Sequence, residues 1–180
     1  MRKIIAGLFV TLDGVVESPQ DWQFPYFNDE LGAALGAGMQ AADTLLLGRN
    51  TYDMFAGFWP TSQDDMADYM NNTPKYVVSS TLQKADWQNT TIIDGDVAAG
   101  ITKLKKAKGK NISLSGSPSL ALWLLQEKLL DELWLIVCPI VVGSGAKLFP
   151  EGTEQLPLRL ASSETFKTGV LSLTYTRAED

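Results

Sequence analysis

The sequence predicts an α/β fold with a mainly parallel central sheet, helices on both faces and a C-terminal antiparallel hairpin. Three observations predict it. Strand-like and helix-like segments alternate through the first three quarters of the 180 residues, the pattern of a parallel sheet wrapped by crossover helices. Triplets rich in glycine and hydroxyl groups stand where strands give way to helices. The chain then closes on two strand-like runs, residues 158–166 and 170–177, joined by Lys167-Thr168-Gly169.

Each element has its own warrant. Residues 3–10 read as a first strand and lead into a polar and aromatic loop, "TLDGVVESPQDWQFPYF". Asn28 can cap a helix that carries Leu31, Ala34, Leu35, Met39 and Ala42 at helical spacing. A strand at 44–47 runs into Gly48 and a helix whose apolar face holds Tyr52, Phe55 and the Phe58-Trp59 pair; Trp59-Pro60 ends it. An acidic helix around 64–70 precedes strands at 75–79 and 90–93. The helix predicted over 97–106 keeps Val97, Ile101 and Leu104 on one side. A strand at 111–114 enters Ser115-Gly116-Ser117-Pro118, where Ser117 can cap a leucine-rich helix and Pro118 suits its first turn. A long strand is expected over 133–141. No repeat or linker divides the chain, so a single domain is expected over 1–180.

Composition excludes several function classes. A net charge of −6, from 21 acids and 15 bases, argues against a nucleic-acid partner. Lys103, Lys105, Lys106, Lys108 and Lys110 read as one solvated face. Histidine is absent, which removes Ser–His and Cys–His catalysis and the commonest metal ligand. The acids show no ligand spacing, so no metal is expected. Cys138, the single cysteine, reads as a buried thiol and suits a cytoplasmic home. The apolar run "LWLIVCPIVVG" is too short to cross a bilayer.

Three strand ends have the chemistry of a phosphate site. In open α/β sheets, ligands settle at the carboxyl ends of strands. At Gly48-Arg49-Asn50-Thr51, glycine permits close backbone approach, a helix start offers N–H groups, and Arg49 adds a permanent cation. Ser115-Gly116-Ser117 opens a second helix with two hydroxyls beside the glycine. Ser79-Ser80-Thr81 offers hydroxyls alone. Singly each is a plain turn and cap; together they describe an extended, phosphate-bearing ligand such as a dinucleotide. The competing fingerprint "GAGMQA", from Gly36, follows a helix instead of a strand and reads as a glycine-containing helix end, where small residues allow close packing.

The stretches "TLLLGRNTYDMF", "KYVVSSTL" and "ISLSGSPSLALWLLQEKLLDELWLIVCPIVVGSGAKLF" resemble the dihydrofolate reductase superfamily. The branch is that of the reductase domain in bifunctional riboflavin-biosynthesis deaminase-reductases, and "TLDGVV" and "FWP" fit its small stand-alone bacterial members. The resemblance implies a dihydrofolate-reductase-like three-layer fold, NADPH as hydride donor and a homodimer. Carried over by position, Gly48, Arg49, Asn50 and Thr51 would meet the adenosine phosphates. Ser79 and Ser80 would lie by the ribose and its 2′-phosphate, and Ser115, Gly116 and Ser117 would hold the pyrophosphate. Asp13 and Gly14 would face the nicotinamide.

Two positions depart from the family pattern. Riboflavin-pathway reductases read Glu-Gly-Gly or close to it where this chain has Ser115-Gly116-Ser117. Dihydrofolate reductases carry a substrate-binding carboxylate on the first helix; Asp29 and Glu30 fall a turn early, with Gly32 nearer that place. The expectation is an NADPH-dependent reductase acting on a C=N or C=O of a small heterocycle or sugar-derived substrate. Trp22, Phe24, Tyr26 and Glu30 would line its substrate pocket, and Asp13 would be the polar or proton-relaying group. NADPH is expected to be preferred over NADH through Arg49, with Asp53 pointing away from the helix start. The alternative is a non-catalytic nucleotide-binding module on the same fold.

Overall fold

In the computed structural model, which describes residues 1–178, eight strands form one sheet in the order β4-β3-β2-β5-β1-β6-β8-β7. The strands are β1 (Ile4–Thr11), β2 (Ala42–Gly48), β3 (Lys75–Val78), β4 (Thr90–Ile93), β5 (Asn111–Ser115), β6 (Glu132–Cys138), β7 (Leu158–Thr165) and β8 (Leu171–Arg177). All pairings from β4 across to β6 are parallel. Only β8, against β6 and β7, runs antiparallel. The carboxyl ends of β1, β2, β3, β5 and β6 therefore share one rim of the sheet.

The helices are α1 (Asp29–Ala41), α2 (Arg49–Phe58), α3 (Ala67–Asn72), α4 (Val97–Lys106) and α5 (Pro118–Gln126). Alternation along the strands divides them into two covering layers. Ile4, Ala6, Leu8 and Val10 of β1 pack with Ile101 and Leu104 of α4 and with Leu120, Ala121 and Leu124 of α5. On the opposite face Leu31 of α1 meets Ile136 and Cys138, while Tyr52 of α2 meets Leu45, Leu47 and Val77. The "GAGMQA" stretch lies inside α1, as its pattern suggests. A Cβ on Gly38 would stand 3.7 Å from the Trp134 ring, and one on Gly7 of β1 would stand 3.1 Å from it. Small residues on both elements make room for that indole.

Three expectations need correction. Strand β6 ends at Cys138 instead of 141, because Pro139 has no N–H to continue the ladder. The chain turns there, with Ile140 N–H donating to Cys138 O at 2.8 Å. Strand β3 stops at Val78, since the Ser79 hydroxyl accepts from Thr81 N–H at 3.2 Å and Leu82 N–H at 3.1 Å and bends the chain. Lys105 is not solvated: it is buried, and its ammonium donates to Leu129 O at 2.9 Å and Asp131 at 2.7 Å. It sits on the inner side of α4 with Ile101 and Leu104, so the lysine cluster is four surface side chains around one internal tether.

Candidate functional site

The carboxyl rim brings the two glycine turns together. Gly48 ends β2, Ser115 ends β5, and the two strands are neighbours. Gly48 N–H donates to the Ser117 hydroxyl at 2.8 Å, and that hydroxyl donates to Thr51 Oγ1 at 2.8 Å. Ser117 N–H donates to the same Thr51 oxygen at 2.9 Å. Both Thr51 and Ser117 are buried. Their hydroxyls thus face one another instead of standing free for a ligand. They are the clasp that joins the starts of α2 and α5.

Those two helix starts differ from the starts of α1 and α4. Asn28 caps α1 by accepting from Leu31 N–H, and Asp96 caps α4 by accepting from Ala99 N–H. No side chain caps α2 or α5. The first N–H groups of a helix have no partner within it, and the positive end of the helix dipole lies there. The clasp therefore holds two uncapped helix starts side by side on one rim.

Arg49 opens α2 and is partly exposed. Its Nε donates to Asp53 at 2.7 and 2.9 Å, and Nη1 to Thr81 Oγ1 at 3.1 Å. Asp53 thus reaches back to the helix start, contrary to the expectation that it points away, because residues four apart share a helix face. Ser79 is buried and occupied in its own turn, while Ser80 and Asn50 are exposed. A shallow groove of about 300 Å³ adjoins Asp53, between α2 and the segment carrying Leu82 and Trp87.

Asp13 lies at the same rim after β1. Its carboxylate accepts from the Thr11 hydroxyl at 2.6 Å, Gly143 N–H at 2.8 Å and Val142 N–H at 3.3 Å. The Thr11 hydroxyl and then the Gly143 N–H hold its carboxyl down at about 2, from an ordinary 3.8. It is an anion at neutral pH and ties the β1 turn to the loop after β6, an arrangement opposed to carrying a proton. The sign of its pH effect follows: the stabilisation is complete above 3.8 and fades as pH falls toward 2. Melting temperatures between pH 2 and 5 should fall less steeply for Asp13→Asn than for the wild type. Identical slopes would separate the carboxylate from the loop.

Glu30 is likewise engaged. It accepts from Lys167 N–H at 2.7 Å and Asn28 Nδ2 at 2.8 Å, which lowers its pKa, and so ties α1 to the β7–β8 turn. Trp22 is buried, with its indole N–H on Glu17 O at 3.1 Å. Tyr26 is half-buried and its hydroxyl lies 3.5 Å from Pro139 O, whereas Phe24 is 63% exposed. The rings the sequence did not single out are Phe9 and Phe27, stacked at 5.8 Å, with Phe24 and Phe27 at 5.9 Å. Phe9 was legible only as a strand residue; the stacking depends on the path of the loop over 12–28. Cys138 is buried, which pushes its thiol up to about 11. Among the described residues no group of His, Cys, Asp and Glu could hold a metal, and no helix is long and apolar enough to cross a membrane.

The family model of the RibD C-terminal domain matches residues 2–172. The uncharacterized protein YyaP of Bacillus subtilis (strain 168) is 31% identical over 97% of this chain and 94% of its own. A Shewanella sp. PV-4 protein described as belonging to riboflavin biosynthesis superposes with a TM-score of 0.80 at 25% identity, covering 98% of this chain and 99% of that one. Dihydrofolate reductase from Enterococcus faecalis, solved with NADP(H), covers 98% of this chain and 97% of its own at a TM-score of 0.63 and 14% identity. The sheet order, the two helical layers and the terminal hairpin are thus those of the dihydrofolate-reductase-like fold, and the chain belongs to the RibD C-terminal domain family.

Proposed function

We propose that the protein is an NADPH-dependent reductase that transfers a hydride to a C=N or C=O carbon of a small, flat heterocycle or sugar-derived substrate. One observation carries the reading: two uncapped helix starts are clasped together at neighbouring strand ends, with Arg49 beside them. Adjacent helix starts suit a pyrophosphate, and a guanidinium at the edge suits a further phosphate. The backbone of Gly48–Thr51 and of Gly116 onward would hold the bridging phosphates, while Arg49 and Ser80 would meet the ribose 2′-phosphate. When bound, NADPH supplies the hydride, and the chain's part is to align it with the substrate.

The substrate face is proposed to include Trp22, Phe24, Tyr26, Phe9 and Phe27. The ionised Asp13 fixes the loop beside the nicotinamide end, and the substrate takes its proton from water. A homodimer and a cytoplasmic location complete the reading. β7 exposes nearly every residue along the outer sheet edge, and a second copy is the partner proposed there. A monomer in sedimentation at micromolar concentration would remove that element.

A thermal melt tests the cofactor. At about a hundred times Kd, a ligand that binds only the folded state adds roughly 2.7 kcal/mol. For a chain this long, each kcal/mol moves the midpoint by about 2–4 °C. NADPH should therefore raise the melting temperature by several degrees; no shift at millimolar NADPH or NADP⁺ refutes the assignment.

The committed state of Asp13 and Glu30 favours a second reading, a nucleotide-binding module without turnover. Steady NADPH oxidation with any member of a panel of heterocycles and carbonyls decides for the enzyme.

A further inference from the structure

Arg49 sits in an electrostatically odd place. It is the first residue of α2, where the helix dipole disfavours a cation. Helix stability therefore gives no reason for an arginine here. One turn later Asp53 supplies the missing anion: Arg49 Nε donates to both of its carboxylate oxygens, at 2.9 and 2.7 Å. Thr81 takes Nη1 at 3.1 Å. The pair runs cation first and anion second, the less favourable order along a helix. Its members remain open to solvent, with side chains 36% and 51% exposed, so an incoming anion can reach both.

We propose that Asp53 stands in for the ribose 2′-phosphate at Arg49 and thereby limits how strongly the site prefers NADPH over NADH. This rests on the cofactor reading above. A phosphate arriving at Arg49 must displace Asp53 from Nε or share the guanidinium with it, and either way two anions lie close together. NADH brings a ribose hydroxyl and no charge, so Asp53 opposes it little. The carboxylate is a specificity-determining group: it acts through Arg49 and narrows the gap between the two cofactors. Asp86 lines the same groove but is paired with Lys84 at 2.6 Å, whereas Asp53 is bonded to Arg49 directly.

Removing the charge tests this. Dissociation constants for NADPH and NADH are measured by titration on wild type, Asp53→Asn, Asp53→Ser and Arg49→Ala, with a melt of each to verify folding. Exposed ion pairs are worth little, so Asp53→Asn and Asp53→Ser should tighten NADPH by about two- to fivefold and leave NADH nearly unchanged. The gain should shrink in about 1 M NaCl, where the Debye length is near 3 Å. A purely structural role for Asp53 has no such salt dependence. Arg49→Ala should weaken NADPH and spare NADH. Weaker NADPH binding in both Asp53 variants would mean the carboxylate orients the guanidinium for the phosphate, and would overturn the proposal. An equal gain for both cofactors, or no gain, overturns it as well. If folded wild type binds neither cofactor, the cofactor reading fails and takes this inference with it. If wild type binds NADPH and only the Asp53 effect is missing, the inference alone fails.

Discussion

Lys75→Met should lower the melting temperature by roughly 6–12 °C. Lys75 opens β3 and is fully buried, and among the described residues no carboxylate pairs with it. Its ammonium donates instead to Met70 O at 2.8 Å, Thr73 O at 2.8 Å and Asn71 O at 3.0 Å. The last carbonyls of a helix have no partner within it, so Lys75 closes the end of α3 from outside. The Trp87 ring lies 4.3 Å away and adds a cation–π contact. Methionine keeps the length and fills the space, but takes the lysine donor from Met70 O and Thr73 O, while Asn71 O keeps Gln88 Nε2 at 3.0 Å and Asn89 Nδ2 at 3.3 Å. Leaving buried polar groups unpaired costs about 1–3 kcal/mol each, and water reaching some of them brings the net loss to about 3 kcal/mol. Burial also draws the ammonium down to about 8 from 10.5. Between these values the unfolded chain holds a proton that the folded one has released, so the lysine's contribution rises with pH across that window. Melts of both proteins at pH 7 and pH 9.5 check size and sign together. A variant that melts within a degree or two of wild type at pH 7 shows that the three bonds add nothing.

How much of this was legible follows from the range of each interaction. Asn28 and Asp96 cap helices within three residues of themselves, and α4 occupies 97–106 as its periodicity predicts. The parallel sheet was readable because alternation of strands and helices leaves few other arrangements. The strand ends Gly48 and Ser115 were also visible, since a glycine and hydroxyls after a buried strand form a local pattern. Direction was not. Thr51 and Ser117 stand 66 positions apart, and only the adjacency of β2 and β5 turns their hydroxyls toward each other. Asp13 shows the same limit: an Asp-Gly turn can be read locally, but its bonds to Val142 and Gly143 span about 130 positions. Lys105 is a different case, because its placement is local. Its neighbours Lys103 and Lys106 suggest a solvated face, whereas its position on α4 relative to Ile101 places it inward. Patterns of hydrophobicity select the fold, while the state of Asp13, Thr51 and Ser117 depends on long-range partners.

Gly116 is where the fold and the proposed cofactor site meet most closely. Its φ is +63°, a conformation costly for residues with a Cβ. A Cβ built there would stand 3.0 Å from Thr51 Cγ2 and 3.1 Å from Thr51 Oγ1. That oxygen accepts from both Ser117 N–H and the Ser117 hydroxyl, so any side chain at 116 pushes on the clasp that aligns α2 with α5. Gly116→Ala should destabilise the protein by about 1–2 kcal/mol for the left-handed backbone, and by about 1–3 kcal/mol more if Thr51 must move. Gly116→Val adds a branched side chain and should be worse. Because the pyrophosphate is common to both cofactors, the Ala variant should weaken NADPH and NADH together, by about tenfold or more if two phosphate hydrogen bonds of roughly 1 kcal/mol each are lost. Ser117→Ala is the companion. It removes the hydroxyl from the clasp without adding bulk, so it should destabilise less while misaligning the same two helix starts. Dissociation constants at a temperature where every variant is folded separate stability from binding. A folded Gly116→Ala protein with wild-type affinity for both cofactors would make this turn a structural joint between two helices, with the phosphates held elsewhere.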